Sequence, residues 1–148
     1  MLKLSAILGL ATDHDLHERL HALEHRGAVE TIVLEPRDMA RHRLRTETDK
    51  GTACAIALPR DVTLEDGAVL LLEDDRAVVV RSAVQRWLAL VPRDAAAALE
   101  LGYHAGNLHW RVHFEAGRLL VALEGPEATY LDRLTAFLED GRARRADG

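Results

Sequence analysis

The most informative segment for the fold is Gly102-Tyr103-His104-Ala105-Gly106-Asn107-Leu108-His109-Trp110. The residues before it, 95–103, are mostly strong helix formers, and residues 110–114 alternate as in a strand. Glycine and asparagine both tolerate the left-handed backbone conformation that ends helices. We therefore expect Gly106 or Asn107 to stop the helix, which makes this stretch a helix-to-strand junction that holds two of the eight histidines.

Around this junction, the second half of the chain reads as strand, helix, strand, strand, helix, strand. An apolar strand at 85–91 precedes the junction, and the turn Ala116-Gly117 joins the two strands that follow it. A second helix opens at Gly125-Pro126, ends at Gly141, and leads into an edge strand at 142–146. This order is that of the split βαβ, or ferredoxin-like βαββαβ, unit, which we assign to residues 83–148.

The first half is dominated by short strands separated by polar turns. The predicted strands are 2–10, 29–35, 41–48, 52–58, 68–72 and 77–81. The turn Asp49-Lys50-Gly51 predicts a hairpin between two of them. Residues 1–82 are thus expected to form a small all-β barrel or sandwich domain, and the whole chain belongs to the α+β class.

One segment of the first half, about 13–26, has a helical pattern instead. Leu16, Leu20 and Leu23 recur at spacings that place them on one face of a helix. Four histidines share the opposite face, within an arc of about 80°: His14, His17, His21 and His25. Some of them have the i, i+4 spacing at which two imidazoles reach one ion. Two interpretations stay open, a polar face that happens to use histidine and a weak, auxiliary metal-holding face.

Composition and charge exclude several classes of protein. The 148 residues are 48% hydrophobic and 29% charged, which is typical of a globular protein. The net charge of −5 argues against nucleic acid as a partner. No apolar run approaches the ~20 residues that span a bilayer, and no signal peptide is recognisable, so we expect no membrane partner and a cytoplasmic location. Cys54, the only cysteine, lies in an apolar run and is expected in the core.

Catalytic motifs are missing, and we predict that the chain is not an enzyme. The sequence contains no H-E-x-x-H, no G-x-S-x-G, no P-loop and no dinucleotide-binding glycine pattern. A zinc hydrolase site built from His104, His109, His113 and Glu115 matches no established ligand spacing. A metal-dependent hydrolase is therefore the least favoured interpretation.

His109 is the candidate metal ligand that the junction itself suggests. It follows a helix C-terminus, where the partial negative charge of the carbonyl groups favours a cation. One histidine is a poor site, but a two-fold dimer supplies two. His104 can meet the same ion only if the helix ends between the two residues. The alternative is that His109 is hydrogen-bonded to the backbone and has a structural role.

Several motifs resemble those of one known family. Residues 103–109 are similar to a Tyr-His-Leu-Gly-Asn-Arg-His motif, with Leu108 where a basic residue is usual. In the first half, residues 43–46, 57–60 and 64–67 are similar to a basic strand, an LPRG-like turn and a DGD-like turn. Over nearly its whole length the chain resembles the urease accessory protein UreE family.

This resemblance implies a function as well as a fold. It implies an N-terminal domain that binds protein partners and a C-terminal domain that binds metal and forms a homodimer. His109 maps to the essential ligand of nickel bound between subunits, and His104 to the preceding histidine of the motif. The implied role is delivery of Ni²⁺ to urease apoprotein together with other urease accessory proteins, although imidazole also accepts zinc and copper. The alternative is an interaction module of the same fold without metal transfer.

Overall fold

The structure is a computed structural model in which residues 1–146 are described. The chain divides into two compact units, Met1–Val84 and Gln85–Gly148. Both helices and sheets are present, so the predicted α+β class is confirmed. Residues 147–148, predicted as a short tail, lie outside the described residues. Between residues 1 and 146, no helix has the length and apolarity needed to cross a bilayer.

The first unit is built on two sheets. Its elements are β1 (Leu2–Leu4), β2 (Gly9–Leu10), α1 (His14–His25), β3 (Val29–Leu34), α2 (Pro36–Met39), β4 (Arg43–Glu47), β5 (Ala53–Ala57), β6 (Ala68–Leu72) and β7 (Ala77–Ser82). One sheet has the strand order β1-β5-β4, and the other has the order β2-β6-β7-β3. Neither closes into a barrel within the described residues, so the sandwich form of the prediction is the one that holds.

Two details of the predicted strands can be compared with these sheets. The hairpin around Asp49-Lys50-Gly51 is confirmed, because β4 and β5 pair antiparallel with Thr46 opposite Cys54. The single strand predicted over 2–10 is wrong. The chain passes from one sheet to the other between β1 and β2, since β1 pairs with β5 and β2 pairs with β6.

The four-stranded sheet of this unit is covered on both faces. On β7, Val78 and Val80 pack into the core between the two sheets, and this core also holds Cys54. The alternate residues Ala77 and Val79 pack against the leucine stripe of α1. All of 77–80 are buried, which is why this strand reads as a continuous apolar run. The predicted amphipathic helix is confirmed, and its histidine-bearing face points away from this contact.

A buried carboxylate ties the two sheets together at one end. Glu30 on β3 is 6% exposed. Its Oε2 accepts a hydrogen bond from Arg76 Nε at 2.5 Å. Its Oε1 accepts from the hydroxyl groups of Thr48 and Thr52, which flank the β4–β5 turn of the other sheet. The hydrogen bond from Arg76 is the main reason that the pKa of Glu30 falls from 4.5 to about 2.

We expect Glu30→Gln to destabilise the first unit in a pH-dependent way. Because the folded-state pKa is depressed, ionised Glu30 stabilises the fold above pH 4.5, and this contribution is lost as pH falls toward about 2. The variant should lose on the order of 2 kcal/mol of unfolding free energy at pH 7, because hydrogen bonds to a charged group are lost. Hydrogen exchange of the β3 amides, measured over this pH range, reports the effect.

Glu47→Gln is the matched control, since Glu47 is an exposed carboxylate on β4. Protection of the β3 amides should be unchanged in this control at every pH. Equal protection in wild type and Glu30→Gln at pH 7 would show that the buried cluster contributes nothing to stability.

The second unit has the predicted ferredoxin-like arrangement. Its elements are β8 (Arg86–Pro92), α3 (Ala95–Asn107), β9 (Val112–Glu115), β10 (Arg118–Leu123), α4 (Glu127–Arg133), α5 (Thr135–Glu139) and β11 (Ala143–Arg145). The sheet order is β11-β8-β10-β9, and all neighbouring strands are antiparallel. The second predicted helix is two short helices, because the fully buried Leu134 lies between them with a non-helical backbone.

One apolar core holds the helices of this unit on one face of the sheet. It includes Leu88, Leu90, Leu101, Ala105, Val121, Leu123, Tyr130 and Phe137. The helix α3 begins at a capped end, because Asp94 Oδ1 accepts from the backbone N–H of Ala97 at 2.8 Å. This bond also lowers the pKa of Asp94. The cap thus fixes the start of α3, and packing against the sheet fixes its buried face.

Candidate metal centre

The C-terminus of α3 is closed by a turn with a left-handed residue. Asn107 is the last helical residue, and Leu108 caps the helix. The N–H of His109 donates to the carbonyl of Gly106, and that of Trp110 donates to the carbonyl of Ala105, both at 3.0 Å. These two bonds define a Schellman motif, whose left-handed residue is His109 with φ of 56°.

This finding corrects the expectation that Gly106 or Asn107 would hold the left-handed conformation. Gly106 and Asn107 are both within the helix, and the turn comes later. The position of the turn is set by tertiary packing, because Ala105 is fully buried and Trp110 packs against the same core. A turn placed at Gly106 would move Trp110 away from its position over the core.

A histidine in this place is unusual and costs free energy. The left-handed conformation costs a non-glycine residue about 1–2 kcal/mol, and glycine is the usual occupant of this position in a Schellman motif. Histidine is one of the few other types that are enriched there. The imidazole of His109 is exposed and lies directly beyond the carbonyl end of α3. A strained residue with a ligand-type side chain is a reason to look for function.

His104, the second predicted ligand, makes a contact of its own. Its Nε2 lies 2.6 Å from the carbonyl oxygen of Arg133, so Nε2 carries the hydrogen and donates. Its ring also lies against Phe137 and Trp110, with centroids 5.1 and 6.1 Å away. His104 therefore attaches α3 to the end of α4, and its Nε2 cannot bind a metal while this bond is made.

In the part of the chain that the structure describes, no three or more His, Cys, Asp or Glu side chains are grouped so as to hold a metal ion. His113 lies on β9 opposite Leu120, with its ring 6.4 Å from that of Trp87. Cys54 is fully buried, and burial raises the pKa of its thiol. Among the described residues, His109 therefore does not belong to a site of three or more such ligands within one chain.

An exposed apolar face of α3 leads up to His109. Leu99 and Tyr103 are 77% and 74% exposed, four residues apart. Gly102 and Gly106 share this face, within an arc of about 100°, and a Cβ added at either glycine would meet nothing within 4 Å. Each glycine costs a helix about 1 kcal/mol relative to alanine, and no contact inside the chain requires it. Sequence reasoning missed this face, although two glycines four apart in a predicted helix are its signal.

The four histidines of α1 are not equivalent. His14 is the first residue of α1, exposed, while His17 is half-buried one turn later. Nε2 of His21 lies 3.1 Å from Nε2 of His25, and the two rings meet edge to face. The i, i+4 spacing therefore brings two imidazole nitrogens together on this helix.

Comparison with known proteins identifies the family. Residues 14–83 match the family described as UreE urease accessory protein, N-terminal domain. The urease accessory protein UreE 1 of Pseudomonas syringae pv. tomato is 55% identical over 146 residues, which cover 99% of this chain and 100% of that protein. The protein of the same name from Pseudomonas syringae pv. syringae has the same identity and coverage. The chain belongs to the urease accessory protein UreE family.

The resemblance inferred from motifs is thus confirmed. A more distant UreE protein, from Natronomonas pharaonis, is 38% identical over 138 residues, which cover 90% of this chain and 64% of that protein. The UreE family consists of accessory proteins and not of urease catalytic subunits. Membership supports a role in urease maturation.

The left-handed turn predicts an unusual response to substitution at His109. His109→Gly should change the unfolding free energy of the second unit by less than about 1 kcal/mol, because glycine adopts this backbone without strain. His109→Val should lower it by about 1–2 kcal/mol, because a β-branched residue is poorly accommodated at positive φ. Tryptophan fluorescence in urea reports this unit alone, since both tryptophans, Trp87 and Trp110, lie in it.

The decisive result is which of the two variants has the larger unfolding free energy. If His109→Gly proved less stable than His109→Val, the turn would not have the described conformation. The glycine variant is also the better one for testing a ligand role, because it removes the imidazole and keeps the turn.

Proposed function

We propose that this UreE family member is a nickel-binding metallochaperone. It delivers Ni²⁺ to urease apoprotein with other urease accessory proteins, and it holds the ion between the two subunits of a homodimer at His109. It has no catalytic activity of its own. The observation that carries the proposal is His109 itself, an exposed imidazole on a left-handed residue at a position that glycine usually occupies.

The position of His109 suits an ion that must be bound and then released. The carbonyl end of α3 favours a cation, and neutral imidazole is a ligand for nickel, zinc and copper. A ligand set of two imidazoles from two subunits leaves coordination positions open for water or for a ligand of the receiving protein. Such a site exchanges its ion more readily than a closed four-ligand cage does.

The exposed face of α3 supports the homodimer. Leu99 and Tyr103 offer apolar area, and Gly102 and Gly106 allow a second backbone to approach closely. In a two-fold interface the same face is used by both chains. This face ends at the helix terminus that carries His109, so a two-fold axis that passes that end of α3 brings the two His109 side chains together. The dimer thus supplies the ligands that a single chain lacks.

We assign His104 a positioning role rather than a ligand role through Nε2. Its hydrogen bond to Arg133 and its ring contacts with Phe137 and Trp110 hold the end of α3 in place. Any contact of His104 with the ion would have to use Nδ1. The domain of residues 1–82 is proposed to bind protein partners in the cytoplasm, as the family membership suggests, while residues 83–148 bind the metal and dimerise.

Nickel titration by calorimetry tests the site. We expect one tight step at about one ion per two chains, because the ion is shared by a two-fold dimer. The step should disappear in His109→Gly, while the dimer persists, because only the imidazole is removed. The mass of each protein in solution is measured in parallel.

The same variant can be tested in cells that produce urease. Replacement of the chaperone by His109→Gly should lower urease activity, and added nickel in the medium should restore it, since mass action replaces delivery. His113→Gln is the control for loss of an exposed imidazole. If His109→Gly bound nickel as wild type does, the same fold would serve as an interaction module without metal transfer, and the metallochaperone proposal would fail.

The glycine pair allows a test of the interface. Gly102→Ala/Gly106→Ala should make α3 intrinsically more stable, by about 1 kcal/mol for each residue, because both added methyl groups point into open space. The same methyl groups should obstruct the partner helix and weaken self-association by about tenfold, or 1.4 kcal/mol. Sedimentation velocity over a concentration series measures the second effect, and urea unfolding measures the first.

Glu139→Ala, an exposed substitution on α5, is the control and should leave self-association unchanged. Unaltered association of the double alanine variant would place the dimer interface elsewhere.

A further inference from the structure

The pair His21 and His25 on α1 is a second group of metal-ligand atoms, in the first unit. Their Nε2 atoms are 3.1 Å apart, and the ring centroids are 4.5 Å apart with the planes nearly perpendicular. His25 is exposed and His21 is half-buried, so solvent reaches the pair. This contact joins two groups that both bind transition metals when neutral.

The spacing of the two nitrogens matches that of two ligands on one ion. Imidazole nitrogen binds zinc at about 2.0–2.1 Å, and two such bonds at 90–110° place the nitrogens about 2.9–3.4 Å apart. The observed separation of 3.1 Å lies inside this range. An ion can therefore replace the hydrogen bond between the rings after a rotation of the side chains, without movement of the helix.

The charge that α1 itself carries also favours a cation at this pair. His25 is the last residue of α1, at the end of the helix dipole that carries partial negative charge. The helix contains Asp15, Glu18 and Glu24 against the single cation Arg19. Two cations lie just beyond the helix end, and both donate to backbone carbonyl groups, Arg26 to that of Asp74 and Lys50 to that of Gly27.

We propose that His21 and His25 form a second, weaker site for a divalent transition-metal ion, bound through both Nε2 atoms with water as the remaining ligands. In the metal-free pair, one Nε2–H donates to the other Nε2. On binding, the hydrogen of the donating ring moves through solvent from Nε2 to Nδ1, and both Nε2 lone pairs bind the ion. No net proton is released in this step, and both rings stay neutral.

This site differs from the proposed site at His109 in the number of chains that supply its ligands. It is complete within one chain, so its occupancy should reach one ion per chain and should not depend on dimerisation. With only two protein ligands it should exchange its ion quickly. The proposal does not rest on the role of His109, and the two can fail separately.

The experiment uses the full chain with His109→Gly, which removes the first proposed site. Equilibrium dialysis with NiCl₂ should show about one weakly bound ion per chain, because the helical pair is intact. Adding His21→Gln and His25→Gln should lower the affinity of this ion by more than about tenfold. Adding His14→Gln and His17→Gln instead removes two other imidazoles from the same helix and should leave the affinity unchanged.

A second measurement needs no change in α1. Long-range ¹H–¹⁵N spectra of the histidine rings are recorded while ZnCl₂ is added to the His109→Gly protein. The Nε2 resonances of His21 and His25 should shift together, before those of the other histidines. A dialysis curve that is the same with and without His21 and His25 would overturn the proposal, as would shifts confined to other rings.

The His21→Gln/His25→Gln variant with His109 intact separates the two sites. It should keep the tight ion shared between subunits and lose only the weak one. Loss of the tight ion in this variant would contradict the independence of the two sites.

Discussion

The structure of the second unit depends on one turn, the left-handed conformation of His109 at the end of α3. The turn is held from both sides, by the buried Ala105 before it and by Trp110 packed on the core after it. Its two backbone hydrogen bonds satisfy carbonyl groups that a helix end would otherwise leave without partners. Because the core determines the turn, a strained histidine is tolerated, and its ring is displayed in a defined position.

The same packing explains why the two histidines of this junction, His104 and His109, have different surroundings. His104 lies one helical turn before the end of α3 and faces the core, where it meets Arg133, Phe137 and Trp110. His109 lies beyond the end and faces solvent. Five residues of separation place the two imidazoles in different environments, so His104 contacts the end of α4 while His109 is the exposed ligand candidate.

In the first unit, burial of one sheet on both faces determines which side chains face solvent. Its four-stranded sheet has one face against the second sheet and the other against α1, which buries both faces of β7. Since the leucine stripe of α1 is committed to this contact, its histidines must face outward, and their i, i+4 spacing brings His21 and His25 into contact. Packing of the leucines thus places the imidazoles on the outer side of the helix, two exposed and two half-buried, and the helix period decides which of them meet.

Much of the secondary structure and the family could be predicted from the sequence, because they depend on patterns among neighbouring residues. The period of the apolar residues predicted α1, and the turn Asp49-Lys50-Gly51 predicted the hairpin of β4 and β5. Periodicity together with turn and cap residues predicted the βαββαβ order of the second unit. The motifs around residues 43–67 and 103–109 identified the UreE family. These features are encoded in neighbouring residues, so no knowledge of distant contacts was needed.

The position of the left-handed turn and two hydrogen-bonded contacts depend on tertiary packing and could not be read from local patterns. The choice of His109 over Gly106 as the left-handed residue follows from the burial of Ala105 and Trp110, which local preference opposes. The hydrogen bond of His104 to Arg133 and the cluster at Glu30 join residues that are far apart in the chain. Local sequence patterns predicted most of the elements, the His21–His25 contact and the family. The packed core determined that His109 adopts the left-handed turn and that His104 donates to Arg133, because these depend on contacts between residues that are distant in the chain.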